Sequence, residues 1–184
     1  MEITGEYRFA ADRERVWEAL NDPHMLQTCV PGCEGIEKTS DTKMQARILA
    51  VIGPVRARFD TQLKLADLQP PQSYALIGEA RAGATGFGRG RADIELKKDG
   101  GETLLRYHAD FKVGGELVQL GSRQVLRAMR AAADEFFGNL GRELQGGSLP
   151  SRVARAGGAV RGRSLAIAIT VALLVMLLVG LLLR

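Results

Sequence analysis

At Gly114-Gly115 the hydrophobic period of the chain changes from two to about 3.6, and this switch constrains the fold more than any other feature. Before it, residues alternate. Thr103, Leu105, Tyr107, Ala109, Phe111 and Val113 oppose Leu104, Arg106, His108, Asp110 and Lys112, and Val55, Ala57, Phe59, Thr61, Leu63 and Leu65 oppose Arg56, Arg58, Asp60, Gln62 and Lys64. One face of such a sheet is wet. After the switch, Val118, Val125, Leu126, Met129, Ala133, Phe136, Phe137, Leu140 and Leu144 fall on one stripe of a long amphipathic helix. Arg123, Arg127, Arg130, Asp134, Glu135 and Arg142 take its other side. The stripe needs a partner, and the inner face of the sheet is the only large one available.

The remaining segments fit that frame. Glu2 to Phe9 alternates as a half-buried strand, with Ile3, Gly5, Tyr7 and Phe9 on one side. A short helix follows, with Asp12 placed as N-cap and Val16, Trp17 and Leu20 apolar; Asn21-Asp22-Pro23 breaks it, and a second runs from about His24 to Cys29. Strands are predicted over Glu34–Thr39, Lys43–Ile52, Val55–Leu65, Ser73–Ala82, Gly88–Lys97 and Thr103–Val113. Gly53-Pro54, Pro70-Pro71 and Asp99-Gly100-Gly101 punctuate them as turns, so the sheet should be an antiparallel meander. The expected class is α+β: a curved antiparallel sheet of about seven strands gripping a long C-terminal helix.

The inward residues decide whether that grip is solid or hollow. If Ile94 and Leu96 point in, so do Gly88, Gly90 and Ala92, and the set Tyr74, Leu76, Gly78 and Ala80 shrinks in the same direction. Close-packed interiors favour large side chains, so small ones facing each other predict an apolar pocket, although glycines also permit strand curvature. Inward phase selects Met25, Leu26, Phe59, Tyr74, Phe87, Phe111, Leu120 and Met129 as its lining. Gly83-Ala84-Thr85-Gly86-Phe87-Gly88 is not a phosphate loop, because no Lys-Ser or Lys-Thr follows and no helix begins there. It reads as a hairpin tip with Phe87 as an exposed apolar tooth.

Catalytic and metal constellations are thin. His24 and His108 are the only histidines, and His108 lies on the wet face of its strand. Cys29 and Cys33 flank Val30-Pro31-Gly32; without further ligands they read as ordinary thiols of a reducing compartment. No catalytic residue and no metal ligand is assigned, and an enzyme is the weaker class.

The tail constrains location. The 19 residues from Leu165 to Leu183 hold nothing more polar than Thr170 and Gly180, and at roughly 28 Å as a helix they match the hydrocarbon core of a bilayer. The chain divides into a domain over 1–145, a Gly- and Arg-rich linker over 146–164 and a transmembrane helix over 165–183. The net charge of +4 invites a nucleic-acid reading, which the distribution rules out. Residues 1–145 carry 20 Lys and Arg against 21 Asp and Glu, and the excess is Arg152, Arg155, Arg161 and Arg163 before the span and Arg184 after it. Arginines flanking a span stay on the cytoplasmic side, and no secretory signal is visible at the N-terminus. The expectation is a single-pass protein of the cytoplasmic membrane, with its domain in the cytoplasm and Arg161, Arg163, Leu165 and Leu183 at the membrane.

Gly5-Glu6-Tyr7, Leu20-Asn21-Asp22-Pro23, Cys29-Val30-Pro31-Gly32-Cys33-Glu34, Ile52-Gly53-Pro54-Val55 and Val113-Gly114-Gly115 through Gln119-Leu120-Gly121-Ser122-Arg123 resemble the G-subunit family of carbon monoxide dehydrogenase over nearly all of residues 1–145. The resemblance implies a helix-grip fold of the START and Bet v 1 type. It further implies a non-enzymatic accessory protein that recruits a carbon monoxide dehydrogenase or related molybdenum hydroxylase to the membrane, without a cofactor of its own and with a quinone or other lipid in its cavity. Two other readings stay open: a solid interaction module without ligand, and a cyclase or hydrolase of the same superfold.

Overall fold

Glycine and proline turns set the strand order, and in the computed structural model, which describes residues 1–146, successive strands from the second onward are joined as hairpins. The chain runs β1 (Glu2–Phe9), α1 (Arg13–Asn21), α2 (Pro23–Cys29), β2 (Cys33–Ser40), β3 (Lys43–Ile52), β4 (Val55–Gln69), β5 (Ser73–Arg81), β6 (Gly86–Asp99) and β7 (Glu102–Gly115). A 3-10 turn over Glu116–Leu120 leads into α3 (Ser122–Leu144). The sheet has seven strands in the order β1-β7-β6-β5-β4-β3-β2, every pair antiparallel. β1 crosses to the far edge because α1 and α2 separate it from β2, and it docks on β7 with Ile3 opposite Ala109 and Tyr7 opposite Leu105.

Asp22-Pro23 does two jobs at once. It ends α1, and the Asp22 carboxylate accepts from the His24 amide at 2.9 Å to cap α2, whose first residue is the proline. Asp12 occupies the N-cap of α1, but its side chain makes no capping bond.

Two expectations need correction. Several strands are longer than the alternation marked, β4 reaching Gln69 and β6 running from Gly86 to Asp99, because exposed polar ends carry no hydrophobic signal while their backbones still pair. The helical stripe does not run unbroken from Val118. Gly115 and Gly121, at φ +72° and +76°, bracket the 3-10 turn, and Val118 on it is 57% exposed instead of joining the apolar face of α3.

α3 then closes the grip. Val125, Met129, Ala132, Ala133, Leu140 and Leu144 are buried against the sheet and against α2. Each large side chain contributes about 1.5–3 kcal/mol of burial, against the entropy of ordering it. Phe137 packs on Tyr7 with ring centroids 4.3 Å apart and on Tyr107 at 5.7 Å, and the Asn139 amide donates to the Cys29 carbonyl at 2.8 Å. Trp17 of α1 meets Tyr74 edge-on at 5.3 Å and seals the other end. The linker beyond Gly146 and the apolar run Leu165–Leu183, with Arg161 and Arg163, lie outside the described residues; among those described, no helix is long and apolar enough to cross a membrane.

Candidate ligand-binding cavity

Small residues stack where β5, β6 and β7 meet. Ala80 pairs with Gly88, Gly78 with Gly90 and Leu76 with Ala92, while Val113 and Phe111 face Gly88 and Gly90 from the other side. At this end of the grip, with none of these small residues lining it, a cavity of about 400 Å³ lies between the start of β6, the end of β7, the 3-10 turn and the first turn of α3. That size falls within the usual range of about 300–1,000 Å³ for small-molecule sites. Phe111, Leu117 and Val125, each at most 2% exposed, form its deep wall. Phe87 at 40% and Val118 at 57% stand at its mouth as exposed apolar groups. A Cβ at Gly114 would run into the Phe87 ring, so this glycine is what lets the ring lie flat against β7.

Polar side chains interrupt the apolar lining: Lys112 and Ser122 are exposed at the rim, and Arg89 is buried. Arg89 lines the cavity, is 4% exposed, and has a buried Nη1 with no hydrogen-bond partner. Strict alternation would put it outside with Phe87 and Arg91. The register itself does not shift: Gly88 and Gly90 hold the same pairing with both neighbouring strands, so Arg89 between them falls opposite Glu79 and Lys112. Sequence reasoning missed this residue because alternation marks it as exposed, and its burial is not carried by a periodic pattern.

Of the residues expected to line a pocket, Phe87 and Phe111 line this cavity. Leu120 borders a separate shallow recess with Pro54 and Thr85. Leu26, Phe59, Tyr74 and Met129 are packed in the core, and Met25 is half-buried against it. A larger groove of about 950 Å³ is lined from β2–β5 and by Gln27 of α2, with Ile36 and Ala46 among its apolar residues. Its charges pair among themselves, Arg47 with Asp60 at 3.2 Å and Arg81 with Glu79, so it presents an open, ion-paired surface.

Reactive groups are few. Burial pushes the Cys29 thiol up to about 11 and raises Cys33 as well, which keeps both protonated at neutral pH; both are free. His108 lies on the wet face, where Glu2 at 2.7 Å raises its pKa and Asp110 stands 3.9 Å away. These three exposed groups are within reach of one another, and the ion pairs between them account for the cluster. Among the described residues, nothing brings a nucleophile to a base inside the cavity. What the arrangement offers is apolar enclosure, one buried donor and an open mouth.

Solved structures show the same fold. A conserved protein from Geobacillus kaustophilus is 26% identical, with a TM-score of 0.75 over 79% of this chain and 96% of its own. A protein from Thermus thermophilus is 16% identical, with a TM-score of 0.62 over 81% of this chain and 100% of its own. A START superfamily protein from Mycobacterium smegmatis is 11% identical, with a TM-score of 0.57 over 80% of this chain and 99% of its own. No curated protein matches the chain. The family model for the G subunit of carbon monoxide dehydrogenase (CoxG) matches residues 5–145, from within β1 to just past the end of α3. The chain belongs to the carbon monoxide dehydrogenase G-subunit (CoxG) family.

Proposed function

We propose that this chain is a non-catalytic accessory protein that holds a hydrophobic ligand, a respiratory quinone in the first instance, in its grip cavity and brings a carbon monoxide dehydrogenase or related molybdenum hydroxylase to the cytoplasmic membrane. The observation that carries the reading is the apolar cavity of about 400 Å³ within a domain that matches the family over 5–145. Burial of an isoprenoid tail against Phe111, Leu117 and Val125 is favourable by about 25 cal/mol per Å² of apolar surface and needs no dedicated charge. Phe87 and Val118 at the mouth provide an apolar path for such a tail. Anchoring rests on the apolar run Leu165–Leu183 with Arg161 and Arg163 before it.

The full chain, purified from membranes in mild detergent, is expected to carry a polyprenyl quinone into organic extracts, identified by mass spectrometry, and to co-purify with the subunits of a large hydroxylase. Hydroxylase without any extracted lipid would replace this reading with an adaptor that has no ligand. Neither lipid nor hydroxylase, over repeated preparations, would overturn it.

A further inference from the structure

Arg89 Nη1 is a buried donor without a hydrogen-bond partner. A buried cation without a counter-ion is destabilising, and Arg89 has neither a partner for its Nη1 nor an acid in the wall around it. The acid that faces it across the β5–β6 register, Glu79, is paired with Arg81 on the outer face. The other charged side chain lining the cavity, Lys112, is also positive.

A second element points the same way. Gly121 and Ser122, where α3 begins, line the same cavity, and no side chain caps that terminus. The Gly121 N–H is donated to the Val118 carbonyl, so it is the Ser122 N–H and the positive end of a 23-residue helix that border the space Arg89 enters.

We infer that the cavity takes an amphiphile with a carboxylate head, its oxygens held between the Arg89 guanidinium and the N-terminus of α3 and its single chain lying against Phe111, Leu117 and Val125. A planar fork of donors matches a carboxylate, and a charge-assisted bond is about twice as strong as one between neutral groups. Volume favours one chain over two, since about 400 Å³ is near the lower end for ligand sites. This rests on the reading of the cavity as a ligand site and names a further ligand class for it, a single-chain carboxylate beside the neutral quinone.

The test is native mass spectrometry of the full chain in detergent micelles with palmitate, methyl palmitate or decylubiquinone added. Palmitate is expected to bind at least about tenfold tighter than its methyl ester, as the loss of one charge-assisted hydrogen bond implies. Arg89→Met is expected to remove that preference while melting no lower than the parent, because it deletes an unpaired buried charge; a merely structural arginine would show the opposite stability change. Equal binding of acid and ester by the parent, or a preference that survives in Arg89→Met, overturns the inference, and the parent comparison decides it even if the variant does not fold. Binding of decylubiquinone without preference for palmitate sinks the carboxylate site and leaves the proposed function standing. Binding of none of the three sinks both.

Discussion

Tyr7, Tyr74 and Tyr107 are all the tyrosines of the chain, and each phenol is held above its ordinary range. Burial is the main cause in every case; Tyr7 also donates to Asp134 at 2.6 Å, and the Asp134 charge acts on Tyr107. An unfolded phenol ionises near about pH 10. Because the folded values are raised, this stabilisation is fully present below that pH and is lost as pH climbs from there toward the folded values. In an alkaline titration, tyrosinate absorbance should therefore stay flat through pH 10 and rise together with loss of circular dichroism; a separate rise near 10 in the folded protein would contradict the burial argument. Tyr7→Phe should cost about 1 kcal/mol in urea unfolding, since the donor leaves a partly exposed carboxylate that water can reach. Alternation places Tyr7 on the face of Ile3 and Phe9, as the structure has it. Its bond to Asp134, 127 residues away, was not legible, because Asp134 belongs to the polar side of the α3 pattern and only the docking of helix on sheet brings the two together. Arg89 was illegible for a different reason: alternation assigns it to the wet face, and its burial depends on what packs around it.

At the level of elements, the switch from strand to helix depends on two glycines that are alike in backbone and unlike in surroundings. Gly115 and Gly121 both have positive φ, where an L-residue is strained by about 1–3 kcal/mol. A Cβ on Gly115 would also meet the Gly86 Cα at 2.6 Å and the Thr85 carbonyl oxygen at 3.0 Å, backbone atoms of the hairpin that supplies the cavity wall. A Cβ on Gly121 would meet nothing within 4 Å. Gly121→Ala should therefore cost little more than the φ strain, whereas Gly115→Ala should cost at least about 1 kcal/mol more by denaturant unfolding. Equal losses would show that the hairpin tip gives way freely. The period change announced this junction, and the order of strands was readable from turns and alternation. The 3-10 turn between the glycines was not, because a five-residue segment with Leu117, Val118 and Leu120 continues a helical stripe on paper.

For the whole molecule, the decisive asymmetry is one of charge and polarity along the chain. Residues 1–145 are close to neutral, with 20 basic and 21 acidic residues, and their apolar groups serve a core built between the sheet and α3. Arg152, Arg155, Arg161 and Arg163, followed by the apolar residues 165–183, have no acidic neighbour in the sequence. On the proposed anchoring, headgroup attraction of about 1 kcal/mol per basic residue and insertion of the 19-residue apolar segment would be separable contributions, since salt and alkali weaken the first and leave the second. The full chain should therefore stay with the membrane pellet after washing in high salt and in alkaline carbonate. A chain ended after Gly146 should move to the supernatant with its circular dichroism and melting transition unchanged, because sheet, α3 and cavity are complete within 1–146. Replacing the four linker arginines by glutamine should leave the pellet fraction unchanged after carbonate and should instead disturb which side of the membrane the domain faces, read by protease protection in spheroplasts. Release of the full chain by salt alone would mean that the tail binds a surface and does not span, and the domain would then reach its ligand as a peripheral protein.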